Sequence, residues 1–183
     1  LGQESVSATV TMREEMLQCS IIVVYGPQLE ADKIAFLAEL ENLQSVMKSA
    51  WFIVGDFNLI YKASDKNNDR LNRRMMQHFK GLIDKIQVKE LHLPGRRFTW
   101  VGDGPIPTQT KIDHAFATTD WDLFANSRLF PLSSAYSDHA PIFLVGNEKR
   151  DNFPNFRLES YWLQLPGFFG GGAIFVAKTN PRN

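Results

Sequence analysis

Polar residues with the chemistry to handle a phosphate follow a short apolar segment near the middle of the chain. Residues 51–54 are apolar and predict a strand, which Gly55 ends immediately before Asp56. On a rigid strand end, the Asp56 carboxylate can act on a water molecule or a metal ion, and the Asn58 amide can donate to a phosphate oxygen. The same residues are typical of a solvated turn, because Asp and Asn favour turns through local hydrogen bonds.

Two further segments carry acidic and histidine side chains next to strands. Asp113 lies within the strand-like run 111–117, where a carboxylate must face solvent, pair with a partner or serve a site, since burying it unpaired is costly. Asp138 and His139 stand in the loop before the apolar strand 141–145. A histidine titrates near neutral pH, so it can meet a phosphate either neutral or charged. Taken singly, each segment predicts an exposed strand position or a surface turn.

The rest of the pattern predicts strands and helices that alternate irregularly. Alternating apolar or β-branched residues predict strands over 6–12, 19–25, 51–54, 97–101, 111–117, 128–134 and 141–145. Helical spacing of apolar residues predicts helices over 30–47 and 71–86. The inward face of the first helix would carry Ile34, Leu37, Leu40, Leu43 and Met47. This order favours a layered α/β or α+β fold, in which sites assemble at strand ends.

Composition places the chain among folded proteins. Hydrophobic residues make up 44% of the chain and charged residues 22%, which is too apolar for a disordered protein. The formal net charge of zero argues against tight duplex binding by bulk charge, although a hydrolase can still hold phosphates locally. Cys19 is the single cysteine, so neither an internal disulfide nor a cysteine-based zinc site can form.

The chain lacks the sequence signals of membrane and secreted proteins. No apolar run reaches membrane-spanning length, and no charged-then-apolar segment opens the chain. We therefore expect a nuclear or cytoplasmic protein that is neither secreted nor bound to a membrane. Residues 1–147 are expected to form a partial domain, and residues 148–183 a linker and tail.

Four motifs at or near predicted strand ends occur in a fixed order. With them, the sequence resembles the endonuclease/exonuclease/phosphatase superfamily, and within it the C-terminal part of the apurinic-like endonuclease domain of plant LINE-type (non-LTR) retrotransposons. The motifs are Val24-Tyr25-Gly26-Pro27, Val54-Gly55-Asp56-Phe57-Asn58, Lys111-Ile112-Asp113-His114-Ala115-Phe116 and Tyr136-Ser137-Asp138-His139-Ala140-Pro141-Ile142. Further support comes from Phe98-Thr99-Trp100, Trp121 and Phe156-Arg157-Leu158-Glu159.

The resemblance implies a hydrolysis in which water attacks a phosphodiester in line. A divalent metal would neutralise the developing charge, with Mg²⁺ as the expected ion and Mn²⁺ as the alternative. The resemblance assigns Asp56 to positioning and activating the water, and Asn58 to holding that water or a phosphate oxygen. Tyr25 matches a tyrosine whose hydroxyl contacts the phosphate.

The same resemblance gives roles to the other polar residues. His139 would donate to the phosphate oxygens as charge builds in the transition state. Asp113 would orient His139 and keep it cationic, since a nearby opposite charge raises the pKa of a histidine. Asp138 matches a carboxylate on the metal side. Outside this set, His114 is expected to be structural or at the surface, and Trp100 to lie in the core.

The fold implied by the resemblance is a layered α/β (α+β) sandwich of two mixed β-sheets flanked by helices, with an incomplete N-terminal half. Family members begin with a strand-rich half that supplies an Asn and a metal-binding Glu, and few strands precede Tyr25 here. Glu4, Glu14 and Glu15 stand in no matching motif. We therefore expect the isolated chain to fold poorly and to cleave weakly or not at all. Full magnesium-dependent plasmid nicking that Asp56→Ala abolishes would contradict this expectation.

Three functions remain open at this level. The first is a DNA endonuclease domain of a retroelement, with DNA as substrate and the reverse transcriptase domain of the same element as a partner. The second is a phosphodiesterase or phosphatase of the same superfamily that acts on a phospholipid head group or an inositol phosphate. The third is a non-catalytic remnant that acts as a binding module. The resemblance of residues 156–165 to the stretch after the domain in such elements favours the first.

Overall fold

A mixed β-sheet with helices packed on one face forms the centre of the molecule. The structure, a computed structural model, describes residues 4–12, 17–47, 50–118, 128–134 and 137–145. Its elements are β1 (Ser5–Met12), β2 (Leu17–Tyr25), α1 (Glu30–Val46), β3 (Trp51–Asp56), α2 (Arg73–Lys85), β4 (Val88–Glu90), β5 (Trp100–Val101), β6 (Gln109–Thr110), β7 (Asp113–Thr118), β8 (Arg128–Pro131) and β9 (Ile142–Val145). A short 3₁₀ turn at Ala63–Asp65 lies between β3 and α2.

The order of the strands brings three chain segments to one end of the central sheet. This five-stranded sheet has the order β1-β2-β3-β7-β4, and among these strands only the neighbours β2 and β3 run parallel. Tyr25 is paired with Asp56, and Asp56 is paired in turn with Asp113. Because β2 and β3 end where β7 begins, these three polar residues lie side by side.

The helical layer packs on one face of the sheet around apolar and aromatic side chains. Alternate residues of the strands, such as Ile53 and Phe116, join the buried faces of α1 and α2 in a single core. The predicted face of α2 is confirmed, since its apolar residues are all buried: Met75, Phe79, Leu82, Ile83 and, just after the helix, Ile86. The helices therefore brace the strands from the side opposite to Asp56 and Asp113.

The inward face of α1 differs in part from the predicted one. The core includes, as expected, Leu37, Leu40, Leu43 and Met47. Ile34 was expected to be buried, but it is 48% exposed, whereas Phe36 is 2% exposed. The Phe36 ring lies 6.2 Å from the Phe57 ring, edge to face, so the larger side chain occupies the inner position and Ile34 faces solvent.

The opposite face of the sheet is covered by short antiparallel strands. Val54 and Ala115 pack on this face against Leu129 of β8 and Ile142 of β9. β5 and β6 form a further antiparallel pair near the start of β7. The layered α/β fold with a mixed sheet is as predicted. In the described part of the chain, mixed pairing is confined to the central sheet, and two antiparallel pairs stand where a second mixed sheet was expected.

Several sequence predictions differ from the structure in extent or lie outside it. The strand β4 was not predicted, because its three residues are too few to show a period. The strand expected over 97–101 contracts to Trp100–Val101. Trp121, which supports the resemblance, and the linker and tail expected from residue 148 lie outside the described residues. Neither helix in the described part of the chain has the length and apolarity needed to cross a membrane.

Candidate active site

Asp56 is the last residue of β3, which is the central strand of the five-stranded sheet. Gly55 has φ 139°, a conformation that residues with side chains rarely adopt, and a Cβ there would overlap the Val24 carbonyl oxygen. The Gly26 backbone N–H donates to the Asp56 carbonyl at 2.7 Å, which joins the two strand ends. Glycine thus permits the close approach of β2 that leaves Asp56 only 2% exposed.

The loop after Asp56 fixes the position of Asn58. Asn58 has φ 49°, in the left-handed region that asparagine tolerates. Its backbone N–H donates to Asp56 Oδ1 at 2.8 Å, and its side-chain amide donates to the Gly26 carbonyl at 2.7 Å. Lys33 Nζ donates to the Asn58 carbonyl at 2.9 Å. A carboxamide carries two N–H donors, so one donor remains that can meet a water molecule or a phosphate oxygen.

Asp113 and His139 form a hydrogen-bonded pair at the start of β7. Thr99 Oγ1 accepts from the backbone N–H groups of Ile112 and Asp113, both at 3.1 Å, and so fixes the beginning of the strand. A backbone bridge between Trp100 and His139 aligns the histidine segment with β5. His139 Nδ1 lies 3.0 Å from Asp113 Oδ2, and this ring nitrogen donates because a carboxylate only accepts.

Asp56 and the Asp113–His139 pair face each other across a small polar space, and the three residues are termed the carboxylate–histidine cluster. His139 Nε2 lies 3.9 Å from Asp56 Oδ2, and the His139 side chain is 14% exposed. One ligand atom from each residue lies within 4.8 Å of the others. Asp113 Oδ1 is buried and has no hydrogen-bond partner among the described residues. A buried carboxylate oxygen without a partner is costly, so this space fits a cation or a bound water molecule.

Burial and like charge make Asp56 a weak acid. Burial and, to a smaller extent, the neighbouring Asp113 carboxylate raise the pKa of Asp56 to about 6. The Asn58 N–H and the charge of His139 act in the opposite direction but are outweighed. Asp56 therefore changes its protonation state close to neutral pH, where a general base is most effective.

The surroundings of His139 favour its charged form. Burial lowers the pKa of His139, but the hydrogen bond and charge of Asp113, with the charges of Asp56 and Asp138, outweigh burial. The net pKa lies above the ordinary value for histidine, so the imidazolium persists to higher pH than in an unpaired residue. Its Nε2–H faces the same space as the Asp56 carboxylate.

Two of the predicted residues lie beside the carboxylate–histidine cluster and not within it. Asp138 is exposed, and its Oδ2 accepts from Trp100 Nε1 at 2.8 Å. Trp100 was expected in the core, but it is only partly buried and uses its indole N–H on this carboxylate. Tyr25 is 42% exposed at the end of β2, in register with Asp56. The structure thus places Tyr25 next to Asp56 and Asp138 next to His139, at the margin of the three central residues.

Sequence reasoning did not identify the residues that hold the cluster in place. Thr99 is 1% exposed, and its hydroxyl accepts from the backbone of β7. The indole N–H of Trp100 reaches a carboxylate 38 positions away. The available signal was the motif Phe98-Thr99-Trp100, in which a polar residue lies between two aromatic residues in a predicted strand.

Family membership agrees with this geometry. The chain belongs to the endonuclease/exonuclease/phosphatase family, whose sequence model matches residues 20–139. The matched region runs from β2 to His139 and so contains every residue of the carboxylate–histidine cluster. The fold and family are thus those of enzymes that hydrolyse phosphoesters. A search of curated proteins finds no match to the chain.

Solved structures share the fold at low sequence identity. The endonuclease domain of TRAS1, a telomere-specific non-LTR retrotransposon, matches with a TM-score of 0.60 and 18% identity over 75% of this chain and 60% of that one. A beta toxin from Staphylococcus aureus matches with a TM-score of 0.54 and 14% identity over 76% and 55%. The catalytic domain of Xenopus laevis APE2 matches with a TM-score of 0.52 and 18% identity over 75% and 52%. The chain thus spans between 52% and 60% of the length of these structures.

Proposed function

We propose that this chain acts as a magnesium-dependent DNA endonuclease domain of a plant LINE-type retroelement. The observation that carries the proposal is the carboxylate–histidine cluster, in which Asp56, Asp113 and His139 present atoms within 4.8 Å of one another. Family membership restricts the chemistry to phosphoester hydrolysis. The resemblance of the four motifs and of residues 156–165 to retroelement endonuclease sequences favours DNA as the substrate, and the TRAS1 endonuclease domain shares the fold.

In this proposal Asp56 is the general base. With a pKa of about 6, its carboxylate is ionised at neutral pH and still basic enough to take a proton from an attacking water molecule. Asn58 orients that water or a phosphate oxygen with its second amide N–H, since the first is donated to the Gly26 carbonyl. Tyr25 offers its hydroxyl to the phosphate from the neighbouring strand end.

His139 is the proposed donor to the phosphate oxygens. Its Nε2–H would donate to the phosphate oxygens and stabilise the negative charge that builds on them during attack. The 3.0 Å hydrogen bond from Nδ1 to Asp113 fixes the orientation of the ring and supports its positive charge. Asp113 is therefore a positioning residue, which acts on the reaction through His139.

The oxygen atoms around the cluster fit a divalent cation. Asp113 Oδ1 lacks a partner among the described residues, and Asp56 and Asp138 add two further carboxylates nearby. Mg²⁺ prefers oxygen ligands and retains several waters, so few carboxylates are sufficient, and Mn²⁺ is the alternative. A protonated His139 only donates, so we assign the metal to the carboxylates, with Asp138 on the metal side. When bound, the ion supplies positive charge to the phosphate.

The proposed partners follow from the retroelement assignment. DNA is the substrate, and the reverse transcriptase domain of the same element is the proposed partner, because residues 156–165 resemble the stretch that follows the endonuclease domain in such elements. That segment lies outside the described residues. Co-purification of this chain with the reverse transcriptase domain, tested with and without residues 148–183, would examine the partnership.

Nicking of supercoiled plasmid DNA tests the proposal. We expect weak nicking with MgCl₂, in keeping with an incomplete N-terminal half, and its loss with EDTA. We also expect its loss in Asp56→Asn, which keeps an acceptor for the Asn58 N–H but removes the base. Asp84→Asn is the matched control, because Asp84 is an exposed carboxylate on α2. Rates are compared between variants, so a low absolute rate leaves the test intact. Equal rates in both variants would contradict the proposal.

The alternative functions predict different results with the same preparation. Faster hydrolysis of phospholipids or inositol phosphates than of DNA, with the same dependence on Asp56, would replace the substrate class. Absence of all hydrolysis, together with absence of Mg²⁺ binding by calorimetry, would favour a non-catalytic binding module.

A further inference from the structure

A pocket with basic walls opens on the helical side of the sheet, at the end where the carboxylate–histidine cluster lies on the other face. It has a volume of about 220 Å³, and its lining includes Asn58 and Ile112, which are close in sequence to Asp56 and Asp113 of the cluster. Three cationic side chains line it, from Lys33, Lys66 and Arg70, and no acidic residue of the described chain does. Because the whole chain has a formal net charge of zero, this local excess of positive charge does not follow from composition. We term this cavity the basic pocket.

The other walls of the basic pocket are largely apolar. Leu59 and Met75 are buried and belong to the core under the helices, while Met76 on α2 is partly exposed. A methionine thioether adapts its shape and makes favourable contacts with flat aromatic rings. The ligand that fits such walls carries an anionic group and a flat, weakly polar ring on the same molecule.

The loop that supplies two of the cations is held in place before any ligand arrives. Asp65 is 2% exposed, and its Oδ2 accepts from the backbone N–H groups of Tyr61 and Lys62 at 3.0 and 2.9 Å. Lys66 Nζ donates to the Arg70 carbonyl at 2.8 Å and closes the loop. Cations on a fixed loop lose less conformational entropy on binding than cations on a mobile one.

Lys33 connects the basic pocket to the candidate active site. Its Nζ donates to the Asn58 carbonyl at 2.9 Å. Burial lowers the pKa of Lys33, and the charges of Glu30 and Asp56 offset this only in part. The Glu30 carboxylate also accepts from Asn72 Nδ2 at 2.7 Å. Lys33 is therefore a partly desolvated cation that a phosphate in the pocket would stabilise.

We propose that the basic pocket binds a phosphate of a nucleic-acid strand together with its attached nucleoside, next to the phosphodiester that is cleaved. This inference rests on the proposed function, because it needs a strand whose cleaved phosphate lies on the cluster. Lys33, Lys66 and Arg70 neutralise the backbone phosphate, which is the sequence-independent part of nucleic-acid affinity. The apolar wall of Leu59, Met75 and Met76 receives the base. An inositol phosphate shares the anionic group but lacks the flat ring.

Oligonucleotide binding without cleavage tests the inference. The affinity of the full chain for a fluorescent single-stranded 12-mer is measured in EDTA by anisotropy over a range of salt concentrations, for Lys66→Gln/Arg70→Gln. The control is Lys80→Gln/Lys89→Gln, which removes the same charge at exposed positions outside the pocket. Each lost phosphate contact lowers the slope of log K against log salt by about 0.7. We therefore expect the pocket variant to lose about 1.4 in slope and roughly 25-fold in affinity at 0.1 M salt, and the control to stay near the parent.

Two additional measurements separate the possible outcomes. Lys66→Arg keeps the charge and should keep the parent slope, whereas loss of binding in this variant would assign the effect to the loop structure and overturn the inference. Equal losses in the pocket and control variants would also overturn it, since bulk charge would then explain binding. Stronger pocket-dependent binding of inositol hexakisphosphate than of the 12-mer would overturn the assignment to a strand. Because cleavage is absent from these assays, pocket-dependent binding would stand even if plasmid nicking failed.

Discussion

Two carboxylate–histidine pairs lie on opposite faces of β7 and differ in how many of their hydrogen-bonding atoms already have partners. Asp113 and His114 are consecutive residues of the strand, so their side chains point to opposite sides of the sheet. On one side Asp113 accepts from His139 at 3.0 Å, and on the helical side His114 lies 2.9 Å from Glu90. The chemical groups and distances are nearly the same, so the difference between the pairs comes from their remaining hydrogen-bonding atoms.

The pair on the helical side has all its ring hydrogen bonds formed. His114 is fully buried, with Nδ1 on Glu90 and Nε2 3.1 Å from the Leu59 carbonyl. Both partners can accept, so each ring nitrogen of His114 already has a hydrogen-bonding partner. Burial opposes ionisation of Glu90, but hydrogen bonds and charges from His114 and Lys111 hold the pKa of Glu90 well below its usual range. This pair stabilises the fold and has no atom left for a substrate.

The pair at the candidate active site keeps unused bonding capacity. His139 Nε2 faces Asp56 at 3.9 Å, beyond hydrogen-bond distance, and Asp113 Oδ1 has no partner among the described residues. Of the two pairs, only Asp113–His139 is therefore available for chemistry, because part of its hydrogen-bonding capacity is left open toward the space that it shares with Asp56.

Breaking the Asp113–His139 pair should have the largest effect, and the effect should be a lower rate of DNA nicking. His139→Gln removes the charged donor, and we expect plasmid nicking to fall about 10²- to 10⁴-fold. Asp113→Asn should lower the rate in the same direction because the ring would lose its orientation. The free energy of unfolding of His139→Gln, measured with urea, should change by no more than about 1 kcal/mol. Unchanged nicking in a folded His139→Gln protein would remove this residue from the mechanism.

Breaking the Glu90–His114 pair should lower the stability of the fold. His114→Leu leaves the Glu90 charge with one partner fewer, and we expect the free energy of unfolding in urea to fall by about 3 to 5 kcal/mol. His78→Leu is the control, because His78 is an exposed histidine on α2, and its effect should stay within about 0.5 kcal/mol. Equal stability of the two variants would show that the buried pair contributes little to the fold.

The charge of Asp56 should weaken the fold at neutral pH. The pKa of Asp56 is raised from 3.8 to about 6, so the native state binds this proton more tightly than the unfolded state does. The resulting stability is present below about pH 4 and is lost as the pH rises through about 6. In EDTA at pH 7, Asp56→Asn should exceed the parent in stability by up to roughly 3 kcal/mol, and the two should converge near pH 4. Thermal denaturation across this range tests the prediction, and a difference independent of pH would contradict it.

The smallest expected effect is a loss of Mg²⁺ affinity on substitution of Trp100, which lies beside the Asp113–His139 pair. Trp100→Phe removes the indole N–H that holds Asp138 Oδ2 while keeping an aromatic ring. If Asp138 lies on the metal side, Mg²⁺ affinity measured by calorimetry should fall about five- to tenfold, the size expected for one hydrogen bond that orients a ligand. A Cβ at Gly102 would overlap the Trp100 ring, so the ring lies close to this backbone and thermal stability is recorded alongside. An unchanged Mg²⁺ affinity would separate Trp100 from the metal site.

The elements with clear periodicity could be predicted from the sequence, and so could the candidate residues at their ends. β3, β7 and α2 form nearly where the patterns place them, and Asp56, Asp113 and His139 converge as the ordered motifs suggest. The burial of Phe36 in place of Ile34 was not predictable from spacing, because ring packing against Phe57 decides it. Local sequence reports which faces are apolar, whereas side-chain size decides which residue fills a given space.

Contacts that involve residues outside the four ordered motifs could not be predicted from the sequence. Glu90 lies 24 positions from His114, and its strand β4 is too short to be recognised, so the buried pair has no signature in the sequence. The same holds for the hydrogen bond between Trp100 and Asp138. Such contacts depend on strand order and register, which single-sequence patterns do not contain.

Because Asp113 and His114 are adjacent and differ in the environment they need, they also oppose a shift in the register of β7. A slip of one residue relative to β3 would push the Asp113 carboxylate among the phenylalanine rings and expel His114 from its two acceptors. Each misplacement is costly by itself, and a single slip would incur both. A well-packed hydrophobic layer on the helical side therefore also fixes the position of the candidate catalytic residue Asp113 on the other face.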